Sequence, residues 1–140
     1  MRLYDKKQTG AEMKRLVKKY HTDLPRKLRE LSITEFFEKI KNLKYRRDKK
    51  PVEIVARPKI LLSGYFSGLD CKKKAELMAA FFTLKKIPWR FIAVSQRPDK
   101  SIHHVFTQYW ATGRGWLNAD ATYKKYRLNQ PKKVTAWEIL

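Results

Sequence analysis

Cysteine is nearly missing from this chain: Cys71 is the single one in 140 residues, which excludes an intramolecular disulfide and a zinc site built from several cysteines. Acidic residues are scarce as well, 13 against 33 Lys and Arg, so the net charge is +20. No stretch approaches the roughly eighteen consecutive apolar residues of a membrane span. No apolar segment follows the charges of residues 1–7, so no export signal is recognised there. Internal repeats and low-complexity linkers are lacking too.

What is present is enough to fold. Apolar residues make up 43% and aromatics 13%, and large side chains of this kind offset the chain entropy that keeps charged sequences disordered. One compact domain is expected, burying about two-thirds of its unfolded surface without help from a metal, disulfide or cofactor. The basic residues are spread along the whole sequence and not gathered in a tail. Such a charge implies an anionic neighbourhood: nucleic acid, another polyanion or a charged membrane face.

Thr9 and Glu12 have capping-box spacing, and Met13, Leu16, Val17 and Tyr20 follow at the period of an amphipathic helix. Its outer face carries Lys14, Arg15, Lys18 and Lys19, read as a solvated face with phosphate contact as the alternative. Ser32 and Glu35 repeat the box before Ile33, Phe36, Phe37, Ile40 and Leu43. Pro25 permits a short connecting helix between the two. Residues 51–56, with Val52, Ile54 and Val55, suit a short extended piece before Arg57-Pro58.

From Cys71 to Lys86 apolar residues cover most of a helix circumference, so that helix is expected to be buried on several sides. Pro88 ends it, residues 90–95 read as a strand, a second strand runs from about His103 to Trp110, and a turn at residues 112–115 leads into a third from Trp116. Helices, a central helix and then a small antiparallel sheet make an α+β fold.

A free cysteine is usually a small buried hydrophobe. Cys71 is different, because Asp70 is a good N-cap and puts it at the first helical position. Unpaired N–H groups and the positive helix end there favour a thiolate nucleophile. Its acid-base partner must be His21, His103 or His104. His21 reads as a surface residue. His103 and His104 point to opposite faces of their strand, and alternation alone leaves open which one meets the sulfur. Asp120, on the strand returning antiparallel, arrives near His104 and could fix the imidazole tautomer; loop capping is its structural alternative.

The stretches Gly68-Leu69-Asp70-Cys71-Lys72-Lys73-Lys74-Ala75, Lys86-Ile87-Pro88-Trp89-Arg90-Phe91-Ile92-Ala93-Val94, His103-His104-Val105 and Gly115-Trp116-Leu117-Asn118-Ala119-Asp120-Ala121-Thr122 resemble, in order and spacing, the transglutaminase-like superfamily. The resemblance covers about residues 51 to 128. It implies a papain-like core over residues 51–140, preceded by a basic helical extension over residues 1–50 that packs on it. It also implies Cys71 as nucleophile, His104 as general base and acid, and Asp120 as the residue that orients the imidazole. In papain-like geometry the nucleophile's own N–H and an upstream polar side chain bind the oxyanion; Tyr65 is the candidate, with packing beside Phe66 as its alternative. Where many compact relatives carry acidic residues, this chain has Lys72, Lys73 and Lys74, read as lysines extending into water or as cations serving the thiolate or an anionic group.

The function expected from this resemblance is cysteine-dependent acyl transfer, with hydrolysis of an amide or peptide bond ahead of transamidation, on a protein or peptide substrate. Short versions in bacteria and phages suggest a cytoplasmic, virion or prophage setting. The alternative is an inactive module on the same fold that holds nucleic acid or another polyanion, through clusters such as Tyr45-Arg46-Arg47 and Tyr123-Lys124-Lys125-Tyr126-Arg127.

Overall fold

Fourteen residues with almost no polar stripe organise the molecule. In a computed structural model describing residues 2–3, 6–48 and 53–140, the segment Cys71–Leu84 is a helix whose residues from Lys72 to Phe82 are all buried. A helix that is apolar around most of its surface must be covered on all sides. Before it come β1 (Arg2–Leu3), α1 (Lys6–Tyr20), a 3-10 turn (His21–Asp23), α2 (Arg26–Arg29), α3 (Ile33–Lys41), β2 (Glu53–Ile54) and α4 (Pro58–Leu61), so it is α5. After it come β3 (Trp89–Ser95), β4 (His104–Ala111), β5 (Gly115–Ala119) and β6 (Ala136–Ile139).

The fold is α+β, with a four-stranded antiparallel sheet in the order β5-β4-β3-β6. Val105 and Tyr109 of β4 join the α5 cluster, and Thr107 Oγ1 donates to the carbonyl of Ala75 at 2.7 Å. The other face carries a smaller cluster of Ile92, Val94 and Phe106, with Val134 packed on it. Phe82 of α5 stacks on Tyr109 at 4.8 Å between centroids, while Phe81 stacks on Phe36 of α3 at 4.2 Å. Sheet and N-terminal helices thus cover α5 from different sides. Met13, Leu16, Val17, Phe36, Phe37 and Ile40 belong to the same hydrophobic cluster as Leu77, Met78 and Phe82.

Local signals explain most boundaries. The Ser32 box is complete, with Glu35 N–H donating to Ser32 Oγ at 3.1 Å and Ser32 N–H to Glu35 Oε1 at 3.0 Å. The Thr9 box does not form. The first helix already begins at Lys6, which leaves Thr9 buried inside it, and Glu12 instead accepts from Arg15 Nε at 2.9 Å. A cation one turn away outcompetes a backbone donor already used by the helix. Of the extended piece expected over residues 51–56, Glu53 and Ile54 pair antiparallel with β1; Pro51 and Val52 lie outside the described residues. The strand β6 was not anticipated, because its four residues alternate between half-buried and exposed and present Trp137 and Ile139 outward. No helix among the described residues is long and apolar enough to cross a membrane.

Truncating Phe36 tests whether the N-terminal helices share this core. Phe36→Ala is expected to lower unfolding stability by about 3–5 kcal/mol, the range for emptying a fully buried aromatic site, measured by urea denaturation. A loss below about 1 kcal/mol would separate these helices from the core.

Candidate active site

The loop before α5 is held by the segment after α3. Leu69 N–H donates to the carbonyl of Lys44 at 2.8 Å and Arg46 N–H to that of Leu69 at 3.2 Å, forming a parallel bridge between Tyr45 and Leu69. Gly68 permits this approach: a Cβ there would stand 2.7 Å from Arg46 Cβ. Asp70 follows in extended conformation, and its Oδ1 accepts from Lys73 N–H at 3.1 Å. Cys71 is therefore the first residue of a capped helix, half-buried at the surface. Its own N–H belongs to the first helical turn, where backbone donors have no partner within the helix.

The three lysines after it do not extend into water. All are buried. Lys72 pairs with Asp70 and lies 3.6 Å from Asp48 Oδ2, and Lys73 donates to Asp48 Oδ1 at 2.7 Å. Lys74 spends its three donors on the carbonyls of Leu43, Thr122 and Lys41, at 2.7, 3.0 and 3.2 Å. Burial pulls its pKa down to about 8. Position explains the difference from the sequence reading: acceptors from distant segments meet this turn of the helix, so the ammonium groups are compensated inside.

Glu76 sits one turn further along and is fully buried, and neither carboxyl oxygen has a hydrogen-bond partner among the described residues. Asp48 and Asp70 already pair with Lys72 and Lys73, and Lys74 is taken by carbonyls, so an ionised Glu76 would have no cation hydrogen-bonded to it among the described residues. Burial, aided by the Asp70 charge, raises its pKa well above 4.5. Burial without partners favours its protonated form.

Of the three histidines, His104 shares the cleft with Cys71 and is the one paired with Asp120. Its Nε2 lies 2.6 Å from Asp120 Oδ2, which leaves Nδ1 as the ring nitrogen for Cys71. Burial disfavours charge on this ring, but hydrogen bonds to Asp120 and Cys71 and the charges of both outweigh it and raise the pKa to about 9. At neutral pH the ring is an imidazolium. Asp120 is itself almost completely buried, and its Oδ1 accepts from Thr122 Oγ1 at 2.5 Å and Thr122 N–H at 3.2 Å. Lys132 Nζ approaches Oδ2 at 2.7 Å and lies 3.8 Å from the centre of the Tyr126 ring. Burial alone would push the Asp120 carboxyl up; the bond from His104 and the Lys132 charge hold it below the ordinary carboxylate range.

The other predicted residues separate. His103 lies just before β4, and its Nε2 accepts from Gln96 N–H at 2.9 Å. His21 caps the end of α1, with Nδ1 3.0 Å from the carbonyl of Lys18. Tyr65 is not brought to the sulfur: it is 78% exposed and packs edge-on against Phe66 at 5.1 Å. Gly64, in the left-handed region at φ 83°, and the Tyr65 N–H bond to Ser63 turn this loop outward.

A cleft of about 350 Å³ opens over Cys71 and His104, with Tyr45, Tyr123 and Tyr126 in its wall. The rings of Tyr45 and Tyr123 lie 4.8 Å apart, and those of Tyr123 and Tyr126 5.3 Å. Burial raises both Tyr123 and Tyr126 to about 12, so their hydroxyls remain protonated donors. The basic-aromatic clusters read as alternatives for nucleic acid therefore contribute their tyrosines to this cleft. Sequence reasoning missed Lys132 and Thr122 as partners of Asp120. Thr122 carried a local signal, a hydroxyl two residues after an aspartate; Lys132 carried none.

No group of three His, Cys, Asp or Glu side chains that could hold a metal ion occurs among the described residues. No protein-family model, curated protein or solved structure matches the chain.

The raised pKa of Glu76 has a measurable consequence. Its folded pKa lies above its unfolded value near 4.5, so its contribution to stability is fully present below that pH and is lost as pH rises. Glu76→Gln keeps the neutral shape and removes the penalty. Its urea midpoint is expected to match the wild type near pH 4 and to exceed it increasingly toward pH 8. Parallel curves would show that Glu76 is ionised in the fold.

Proposed function

We propose that this chain is a cysteine-dependent acyl-transfer enzyme with a transglutaminase-like, papain-like core, hydrolysing an amide or peptide bond. The observation that carries this reading is one imidazole hydrogen-bonded to a buried aspartate and sharing a cleft with a helix-start cysteine. A helix beginning at the nucleophile and packed on an antiparallel sheet supports the family resemblance.

In this mechanism His104 holds the Cys71 proton, giving a thiolate-imidazolium pair. The sulfur attacks the carbonyl carbon, and the oxyanion accepts from the Cys71 N–H. As the C–N bond breaks, His104 delivers its proton to the departing nitrogen, leaving a thioester. Water then adds to the thioester and passes a proton to His104, and the carboxylic acid leaves as the proton returns to sulfur. Asp120 fixes the ring through Nε2 and stabilises its cationic form, while Thr122 and Lys132 fix Asp120. Hydrolysis is placed ahead of transamidation, because transfer to an amine needs a shielded acceptor channel that keeps water from the thioester.

Two experiments test this. Iodoacetamide is expected to alkylate Cys71 near neutral pH much faster than free cysteine at the same pH, and Cys71→Ala to abolish turnover without unfolding the chain. Ordinary thiol reactivity would defeat the mechanism and leave the polyanion-binding module, whose affinity would fall steeply with salt and survive Cys71→Ala.

The pH profile gives a second check. Departure of the amine requires His104 in its acid form, so the turnover rate is expected to decline as pH rises through about 9. Asp120→Asn removes the anion that holds the proton on His104, so the alkaline limb moves to lower pH. A limb that stays in place would remove Asp120 from the mechanism.

A further inference from the structure

The cleft over Cys71 is asymmetric in charge. Its carboxylates, Asp48 and Asp70, are already neutralised by Lys72 and Lys73. Lys6, another cation in its lining, pairs with Glu138 at 2.5 Å. Arg47 and Arg97 remain. Both line the cleft and are exposed, and among the described residues neither guanidinium has a carboxylate within ion-pair distance. The nearby Tyr45 side chain and, more weakly, Tyr123 and the Cys71 sulfur favour the charged form of the Arg47 guanidinium. Arg97 has only the Ser101 hydroxyl, at 3.4 Å from Nη1, with the Asp99 charge nearby.

His103 joins them. Its Nε2 accepts a backbone N–H, so the proton of the neutral ring is on Nδ1. Burial, and then the charges of Arg97, His104 and Arg47, lower its pKa. At neutral pH it is an uncharged donor beside two cations, and both arginines act on one point of the cleft. Two guanidiniums and an N–H donor in a concave, partly desolvated site suit a carboxylate, which accepts several charge-assisted hydrogen bonds.

We propose that Arg47, Arg97 and His103 form a carboxylate-binding subsite beside Cys71, so that the enzyme selects substrates carrying a carboxylate next to the carbonyl it attacks. The proposal rests on the cysteine mechanism above. The carboxylate is an acidic side chain of the substrate or its chain terminus.

Cys71 itself can report the subsite, without a known substrate. Iodoacetate and iodoacetamide alkylate the same sulfur and differ by one negative charge. The iodoacetate-to-iodoacetamide rate ratio is expected to exceed that of free cysteine by about tenfold, the size of one unit-charge interaction at a half-desolvated site. High salt lowers it. His104 adds to the ratio in every variant, so the arginine contribution is read from Arg47→Gln/Arg97→Gln, where the ratio is expected to fall several-fold. Lys18→Gln on the far, exposed face of α1 is the control for net charge and leaves the ratio in place.

Three chloroacetyl compounds separate the two sources: chloroacetyl-glutamate α-amide, chloroacetyl-glutamine with a free terminus, and chloroacetyl-glutamine amide as the neutral reference. The acid that reacts faster than the reference in the wild type, and loses that advantage in the double-arginine variant, identifies the source. Acids no faster than the reference, or a ratio unchanged in that variant, overturn the subsite while fast alkylation by iodoacetamide keeps the cysteine mechanism. Slow alkylation by every reagent overturns the mechanism itself.

Discussion

The site depends on keeping a carboxylate ionised where water hardly reaches it. Asp120 is almost fully buried, and an isolated charge there would be protonated or expelled. It survives because four contacts share its two oxygens: His104 and Lys132 at Oδ2, Thr122 Oγ1 and N–H at Oδ1. That saturation aims the His104 ring. With Nε2 committed to the acid, Nδ1 is the nitrogen left for the cleft that Cys71 lines, and against burial Asp120 prevails, raising the ring's pKa to about 9. Lys132 is in turn held over Tyr126, a residue of the cleft wall, so the acid and the cleft wall share a support.

Charge inside this molecule is handled locally and in pairs, although the chain as a whole carries +20. Around the start of α5, two aspartates meet two lysines, a third lysine is taken by carbonyls, and the leftover carboxyl, Glu76, has its pKa raised by burial. Buried charges are thus matched by specific partners, while the basic surplus of the chain is carried largely on its exposed residues. Only at the cleft does the surplus come near the reacting groups, through Arg47 and Arg97.

The sequence revealed the parts whose causes are local. The central helix, its Asp70 cap, the Ser32 box and three of the four sheet strands follow from periodicity and from residues within a few positions of each boundary. The choice between His103 and His104 was of another kind. Alternation places His103 with Val105 and Thr107, the side that faces α5, yet the ring that meets the sulfur belongs to the opposite parity. His103 precedes the strand and is drawn to the Gln96 N–H, while His104 at the strand's first residue is captured by Asp120. The buried lysines and Lys132 were illegible for a related reason. Their acceptors come from segments distant in sequence, and a run of three lysines reads as surface until those segments are placed. Tyr65 was misjudged because nearness in sequence to a nucleophile does not bring a side chain to its face of the loop.

Lys74 draws its three acceptors from the end of α3, the residue two beyond it, and the loop that follows Asp120. One ammonium thus staples the first third of the polypeptide to the acid's loop across α5. A recombinant fragment beginning near residue 51 would strip that ammonium of two of its three oxygens and uncover one flank of α5. Any attempt to isolate the reactive half by trimming the basic leader would therefore dismantle the scaffold that holds the acid's loop in place.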